Sequence, residues 1–268
     1  GFAGDRGFLV PELTASATQV EAAEIRRLIE EHPEAGVYST CRTCEIGLSR
    51  AVGRPVGSLV HLVREAITGL GARDIPAARI VVQRDRDLNY MHMDVKEKVI
   101  KLFAIRQPVA GDLRLVVSLS SIGDAIEHVG DEAKRIARST IRLCEGDRIP
   151  PVPELMRDAT HMGALAPRML EDSLLALKTR NVEDAVAVLK HDKDLDAEFR
   201  SALRKLATFI LEDPRNLKHA IEMVFVLKAL ERIGDYAKNV SEQVIYIVKG
   251  EDVRYMNVDN LANGYLDR

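Results

Sequence analysis

Ala125-Ile126-Glu127-His128-Val129-Gly130-Asp131-Glu132-Ala133-Lys134 and Ala229-Leu230-Glu231-Arg232-Ile233-Gly234-Asp235-Tyr236-Ala237-Lys238 are the two stretches from which the fold is read. In each, apolar residues return every three or four positions with long charged residues between them, the period of an amphipathic helix. Shifted by 104 positions, the first stretch meets the second with the same residue at Ala125, Glu127, Gly130, Asp131, Ala133 and Lys134, and Ile141 and Gly146 continue the match at Ile245 and Gly250. One helix pattern written twice points to a duplicated helical unit.

The repeat extends outward from these helices. With a shift of 107, Leu70 and Asp74 meet Leu177 and Asn181, while Asp85, Leu88 and Asn89 meet Leu195 and its neighbours Asp192 and Asp196. Asp112-Leu113-Arg114 meets Asn216-Leu217-Lys218 after three residues are lost in a loop. The apolar period predicts helices over 47–71, 75–106, 109–145, 152–179, 182–212 and 215–249. Asp74 and Asn181 are placed as N-caps, Pro76 suits an early helical position, Pro108 and Pro214 open the third and sixth helices, and Gly146 with Pro150, Pro151 and Pro153 divides the halves. Strand-like alternation is absent from about Val56 onward. The expected architecture is all-α, two tandem three-helix bundles over 46–148 and 149–250, with an N-terminal extension over 1–45 and a tail over 251–268. In the extension, Thr18-x-x-Glu21 resembles a capping box before a short helix from Val20 to Ile29.

Composition narrows the function. Apolar residues make up 46% and charged residues 29% of the 268 positions, so the chain is neither a disordered polyelectrolyte nor a bilayer-embedded protein. A net charge of −3 gives no cationic field for nucleic acid, and 4% aromatic residues without Trp provide no stacking platform. Three cysteines are too few for a secreted disulfide scaffold. With no apolar run near the roughly 18 residues that cross a bilayer, and a start lacking a basic region followed by an apolar one, the expected location is cytoplasmic. Cys41-x-x-Cys44 has the spacing of half a zinc site, without a second pair to complete it. No phosphate loop, dinucleotide fingerprint or Gly-x-Ser-x-Gly elbow occurs, and the expected protein is not an enzyme.

The chemistry-bearing residues are carboxylates. Glu127 and Asp131, and again Glu231 and Asp235, stand four residues apart on one helix face, where like charges cost about 0.2–0.5 kcal/mol and a mid-helix Gly about 1 kcal/mol more. Local helix stability does not explain the motif; a cation held by oxygen ligands does. With Ile122, Ile126, Val129, Ala133 and Ile136 as the buried stripe, Glu127 and Asp131 point roughly 140–180° away from it and Asp124 about 200°, which places the ion on the bundle surface. Asp85, Asn89 and His92, like Asp192 and Asp196, fall roughly 40–100° from the stripes through Leu88, Val95 and Val99 or Val188, Leu195 and Phe199, on the rim beside the neighbouring helix. Carboxylates from two helices then converge as a metal cluster needs. A single Glu-x-x-x-Asp is ordinarily a solvated face, with Asp131 paired to Lys134 or Arg135. Two copies at matching positions shift the reading to metal.

Ile105-Arg106-Gln107-Pro108-Val109-Ala110-Gly111-Asp112-Leu113-Arg114, followed by Glu127-x-x-Gly130-Asp131, resembles the PhoU family, and Leu230-Glu231-Arg232-Ile233-Gly234-Asp235-x-Ala237-Lys238-Asn239 is similar to its second repeat. The resemblance spans roughly residues 56 to 250. It implies a cytoplasmic regulator of phosphate uptake, associated with the ATPase of the phosphate ABC transporter and with the phosphate-sensing histidine kinase, that keeps the starvation response off when phosphate is plentiful; a homodimer is the expected assembly. It also implies iron or zinc, or else Mg, Ca or Mn, bound by Glu127, Asp131, Asp85 and Asn89 and by Glu231, Asp235, Asp192 and Asp196, with Asp124 and His92 as possible additions. His128 stands where the family commonly has Arg, and Asn89 where Asp is common. The alternatives are a di-iron carboxylate oxidase, which would need two Glu-x-x-His motifs that the chain lacks, and a metal-free helical module.

Overall fold

The free amides at the start of a helix need acceptors, and the chain supplies them at matching places in its two halves. In the computed structural model, which describes residues 37–39, 56–144, 153–256 and 261, Asp74 accepts from the Ala77 amide at 2.9 Å and Asn181 from the Asp184 amide at 3.1 Å. The residue before each cap, Arg73 or Arg180, is left-handed with φ of 54° or 53°. That geometry lets the Asp74 amide donate to the Gly69 carbonyl and the Asn181 amide to the Ala176 carbonyl, closing the preceding helix as the next begins.

Six long helices follow: α1 (Leu59–Ala72), α2 (Ile75–Arg106), α3 (Ala110–Cys144), α4 (Pro153–Thr179), α5 (Val182–Glu212) and α6 (Leu217–Lys249), with a 3-10 turn over Pro214–Asn216. They cluster as two three-helix bundles, α1–α3 and α4–α6, as the duplication predicts. The first helix departs from expectation: it starts at Leu59, not 47, because Val56–Ser58 is an extended segment (β2) paired in parallel with β1 (Val37–Ser39). Three-residue strands are too short to show a period in sequence. Pro167 lies inside α4. The expected Val20–Ile29 helix, its Thr18 and Glu21 box, Cys41 and Cys44, and the divider at Gly146, Pro150 and Pro151 lie outside the described residues.

A 14-residue α1 cannot cover a 32-residue α2 and a 35-residue α3. The far end of the α2–α3 hairpin consequently leaves Ile100, Ile105 and Val109 exposed. Val95, expected on the buried stripe with Leu88, is exposed for the same reason. In the second unit α4 has 27 residues and no comparable shortfall.

The two bundles share one core. Leu62 and Leu70 of α1, Leu88 of α2, Val129 and Ile136 of α3, Met162 and Leu170 of α4, Leu195 of α5 and Leu230 and Ile233 of α6 belong to one continuous buried cluster. Complete burial of such side chains contributes about 1.5–3 kcal/mol each. The helices α3 and α6 form the seam between the bundles and run antiparallel along it: His128 meets Tyr236, Glu132 meets Arg232, and Arg142 meets Glu222. As one index rises the other falls equally, and Gly130 and Gly234 occupy the middle of that register.

Those glycines are close-packing positions. A Cβ on Gly130 would lie 2.4 Å from Leu88 Cδ1, and one on Gly234 2.3 Å from Leu195 Cδ2. Both leucines are buried, so their methyl groups cannot retreat without disturbing the core. Gly71 in α1, by contrast, has nothing within 4 Å of its would-be Cβ. Gly234→Ala is expected to destabilise the protein in urea unfolding, since overpacking costs about 1–3 kcal/mol against a helix-propensity gain of about 1 kcal/mol. Gly71→Ala is expected to stabilise it by up to about 1 kcal/mol. Equal gains at both sites would show that the leucines do not hold these helices in contact.

Candidate functional site

The leucine that fills the space left by each glycine draws two helices together and encloses the aspartate one turn before it. Asp85 precedes Leu88 and is 2% exposed; Asp192 precedes Leu195 and is 6% exposed. A buried carboxylate needs a cation or hydrogen-bond donors, and the adjoining helix supplies a lysine in both units. Lys134 Nζ donates to Asp85 Oδ2 at 2.6 Å, and Lys238 Nζ donates to Asp192 Oδ2 at 2.7 Å. Lys134 also reaches Asp131 Oδ1 at 3.3 Å. The repetition of one ion pair at matching positions is the duplication expressed in three dimensions.

The rim placement expected for Asp85 and Asp192 is thus corrected to burial, because the glycine–leucine contact closes the groove over them. Glu231, expected on the outer face, is also buried at 9% exposure, whereas Glu127 and Asp131 keep access to solvent. Lys228 donates to Glu231 at 2.7 Å and sits 5.4 Å above the Phe199 ring. His92 and Asp124 come together at 2.7 Å, but Asp124 is also held by Lys96 at 2.9 Å. Burial would raise the Asp124 pKa, yet the hydrogen bonds from Lys96 and His92 outweigh it and hold the carboxyl below its usual range. These two residues form a neutralised group of their own.

Charge is not balanced at either carboxylate set. The first gathers Asp85, Glu127 and Asp131 around Lys134; the second gathers Asp192, Asp196, Glu231 and Asp235 around Lys228 and Lys238. Each set carries more carboxylates than ammonium groups. In the second, burial together with the charges of Glu231, Asp192 and Asp196 pushes the Asp235 carboxyl up to about 6. In the first, Asp85 Oδ1 and Asn89 Oδ1 are buried without a hydrogen-bond partner. Ligand atoms of Glu127, His128 and Asp131 lie within 4.8 Å of one another. The structure therefore groups Glu127 and Asp131 with His128, joins Asp131 to Asp85 through Lys134, and sets Glu231, Asp192 and Asp196 near enough to act on the charge of Asp235.

Several seam residues carry no signal in the sequence. Glu132, buried, faces Arg232 at 3.1 Å and Arg135 at 3.2 Å; burial raises its pKa and the two arginines oppose that rise. Arg232 also lies 5.9 Å from the Tyr236 ring, and His128 faces the same ring with centroids 5.2 Å apart. At matching positions of the repeat, His128 corresponds to Arg232 and Glu132 to Tyr236, so no identity between the halves marks them. Lys134 and Lys238 do match, yet their partners Asp85 and Asp192 were not expected; of the contacts of Lys134, only the one with Asp131 at 3.3 Å follows the sequence reading.

Such a molecule is an all-α body made of two copies of one three-helix unit, each with an acidic seam between its second and third helices. The PhoU domain model matches residues 58–140 and again 159–244, and the chain belongs to the PhoU family. Among its relatives, the phosphate-specific transport system accessory protein PhoU homolog of Pseudomonas putida is 39% identical over 208 residues, 77% of this chain and 80% of that protein. The phosphate-specific transport system accessory protein PhoU of Escherichia coli is 31% identical over 205 residues, 76% of this chain and 83% of that protein. The crystal structure of PhoU from Pseudomonas aeruginosa superposes with a TM-score of 0.69 at 36% identity, over 72% of this chain and 91% of that one. Membership makes this chain a non-enzymatic regulator in phosphate signalling. No described helix is long and apolar enough to cross a membrane.

The raised Asp235 carboxyl has a consequence for pH. The unfolded carboxyl titrates near 3.8 and the folded one near 6, so the folded state holds an extra proton between these values and loses stability as pH rises through them. Asp235→Asn removes the ionised form. In metal-free buffer it is expected to be more stable than the parent protein at pH 7.5, by on the order of 1 kcal/mol after allowance for solvent screening. At pH 4 the difference should vanish, as measured by chemical unfolding.

Proposed function

We propose that this protein is a metal-loaded cytoplasmic regulator of phosphate uptake, in which divalent cations bound at the two acidic seams fix the shape that partner proteins read. Iron or zinc suits a mixed set of carboxylates and imidazole, and Mg, Ca or Mn suits the oxygen-only set. The first site takes Glu127, Asp131, Asp85 and Asn89, and the second takes Glu231, Asp235, Asp192 and Asp196. The repeats over 46–148 and 149–250 act as the two metal-bearing halves. The partners are the ATPase of the phosphate ABC transporter and the phosphate-sensing histidine kinase, with a homodimer as the assembled form.

The observation that carries this reading is the excess of carboxylates over lysines in both sets, beside buried oxygens of Asp85 and Asn89 that lack hydrogen bonds. A divalent ion offsets such a surplus and also satisfies the orphaned acceptors. The lysines Lys134 and Lys238 offset part of the charge and keep the apo protein folded. His92 and Asp124, paired with each other and with Lys96, stand outside the ligand set.

Protein purified without a His tag is expected to carry iron or zinc by elemental analysis, and to gain thermal stability on addition of Zn2+ or Mn2+. Asp235→Ala with Glu231→Ala should lower the bound metal by about half, through loss of one of two sites, while the fold stays helical by circular dichroism. Crosslinking in cells grown in high phosphate should recover the transporter ATPase or the kinase. Metal content unchanged in the double variant would contradict the assignment of the second site, and persistent failure to capture either partner would contradict the docking role.

A further inference from the structure

We propose that His128 is a nitrogen ligand of the first metal site, which makes the two sites unequal: the first selects borderline transition ions such as Zn2+ or Fe2+, and the second remains an oxygen-only site open to Mg2+ and Ca2+. This rests on the metal reading given above. Three observations carry it. His128 Nδ1 lies 2.9 Å from Glu127 Oε2, and its ring nitrogen falls within 4.8 Å of ligand oxygens from both Glu127 and Asp131. These distances are close to the separations among donors on one ion, since metal bonds of about 2.0–2.2 Å place ligand atoms roughly 3–4.4 Å apart. Across from Asp131, Asp85 is 2% exposed, and while Lys134 holds its Oδ2, its Oδ1, next to Gly130, is buried without a hydrogen-bond partner.

The duplicated position isolates the difference. The residue matching His128 in the second unit is Arg232, whose guanidinium is committed to Glu132 at 3.1 Å and cannot ligate. The chain thus contains its own comparison, with an imidazole at one acidic seam and a permanently charged guanidinium at the other. Imidazole favours zinc, iron, cobalt and nickel, whereas carboxylate sets alone accept magnesium and calcium.

The test uses the full chain without a His tag, titrated calorimetrically with Zn2+ and separately with Mg2+, as wild type, His128→Asn, and Glu231→Gln with Asp235→Asn. The wild type should bind Zn2+ in two classes. His128→Asn should weaken one class by at least about 10-fold, the least that loss of a partner behind a ligand costs, and leave Mg2+ binding unchanged. The double variant should lose the other class, and its zinc X-ray absorption spectrum should show the multiple-scattering pattern of imidazole. Zn2+ binding equal in wild type and His128→Asn, or an absorption spectrum without imidazole, overturns the role of His128 while leaving the metal sites standing. Absence of Zn2+ binding in the wild type overturns both.

Discussion

A leucine methyl seated where a glycine has no side chain is the contact on which the rest of this molecule depends. Leu88 against Gly130 and Leu195 against Gly234 bring the second and third helices of each unit nearer than any Cβ would allow. Each mid-helix Gly costs about 1 kcal/mol in helix propensity, and close approach offsets that cost. The approach also encloses Asp85 and Asp192 in a setting where a carboxylate must find a cation. Packing and charge are thereby coupled: the step that buries the core is the step that creates the acidic seam.

The same coupling explains why lysine and metal are not rival explanations of the carboxylates. Lys134 and Lys238 each satisfy one oxygen of a buried aspartate, at 2.6 and 2.7 Å, and keep the folded chain tolerable without an ion. They leave a surplus in both units, visible in the upward push on Asp235 and in the orphaned oxygen of Asp85. On the proposed reading, a scaffold neutralised in part, twice over, takes a divalent ion without depending on it to fold. The helices α3 and α6 carry Glu127 and Asp131 and Glu231 and Asp235, and they also form the seam between bundles, where Glu132 meets Arg232 and His128 meets Tyr236.

Much of this was legible in the chain. The helical period and the two shifts located six helices, the caps at Asp74 and Asn181, and the stripe through Val129, Ala133 and Ile136, all three of which are buried. The family resemblance named Glu127 and Asp131, which stand together with His128 in the folded chain, while His128 itself was not among the ligands it named. What escaped was depth. A helical wheel places Asp85 at the rim and Glu231 outside, but it holds no information on how near the adjacent helix comes, and that distance is set by the glycines. The short α1 was also hidden, since three residues, Val56–Ser58, are too few to show a strand period yet pair with Val37–Ser39. Contacts between residues that differ in the two halves, such as Arg232 on Glu132, leave no trace in a comparison of the repeats.

The central claim is that each acidic seam holds a divalent cation. Crystals grown with Mn2+ or Zn2+ and measured at the metal's absorption edge test it most directly, because anomalous scattering locates the ions without assuming their ligands. Peaks beside Glu127 and Asp131 and beside Glu231 and Asp235 are predicted, with Lys134 and Lys238 still on the aspartates behind them. Crystals showing no peak at either seam, with the carboxylates held by lysine alone, would contradict the account.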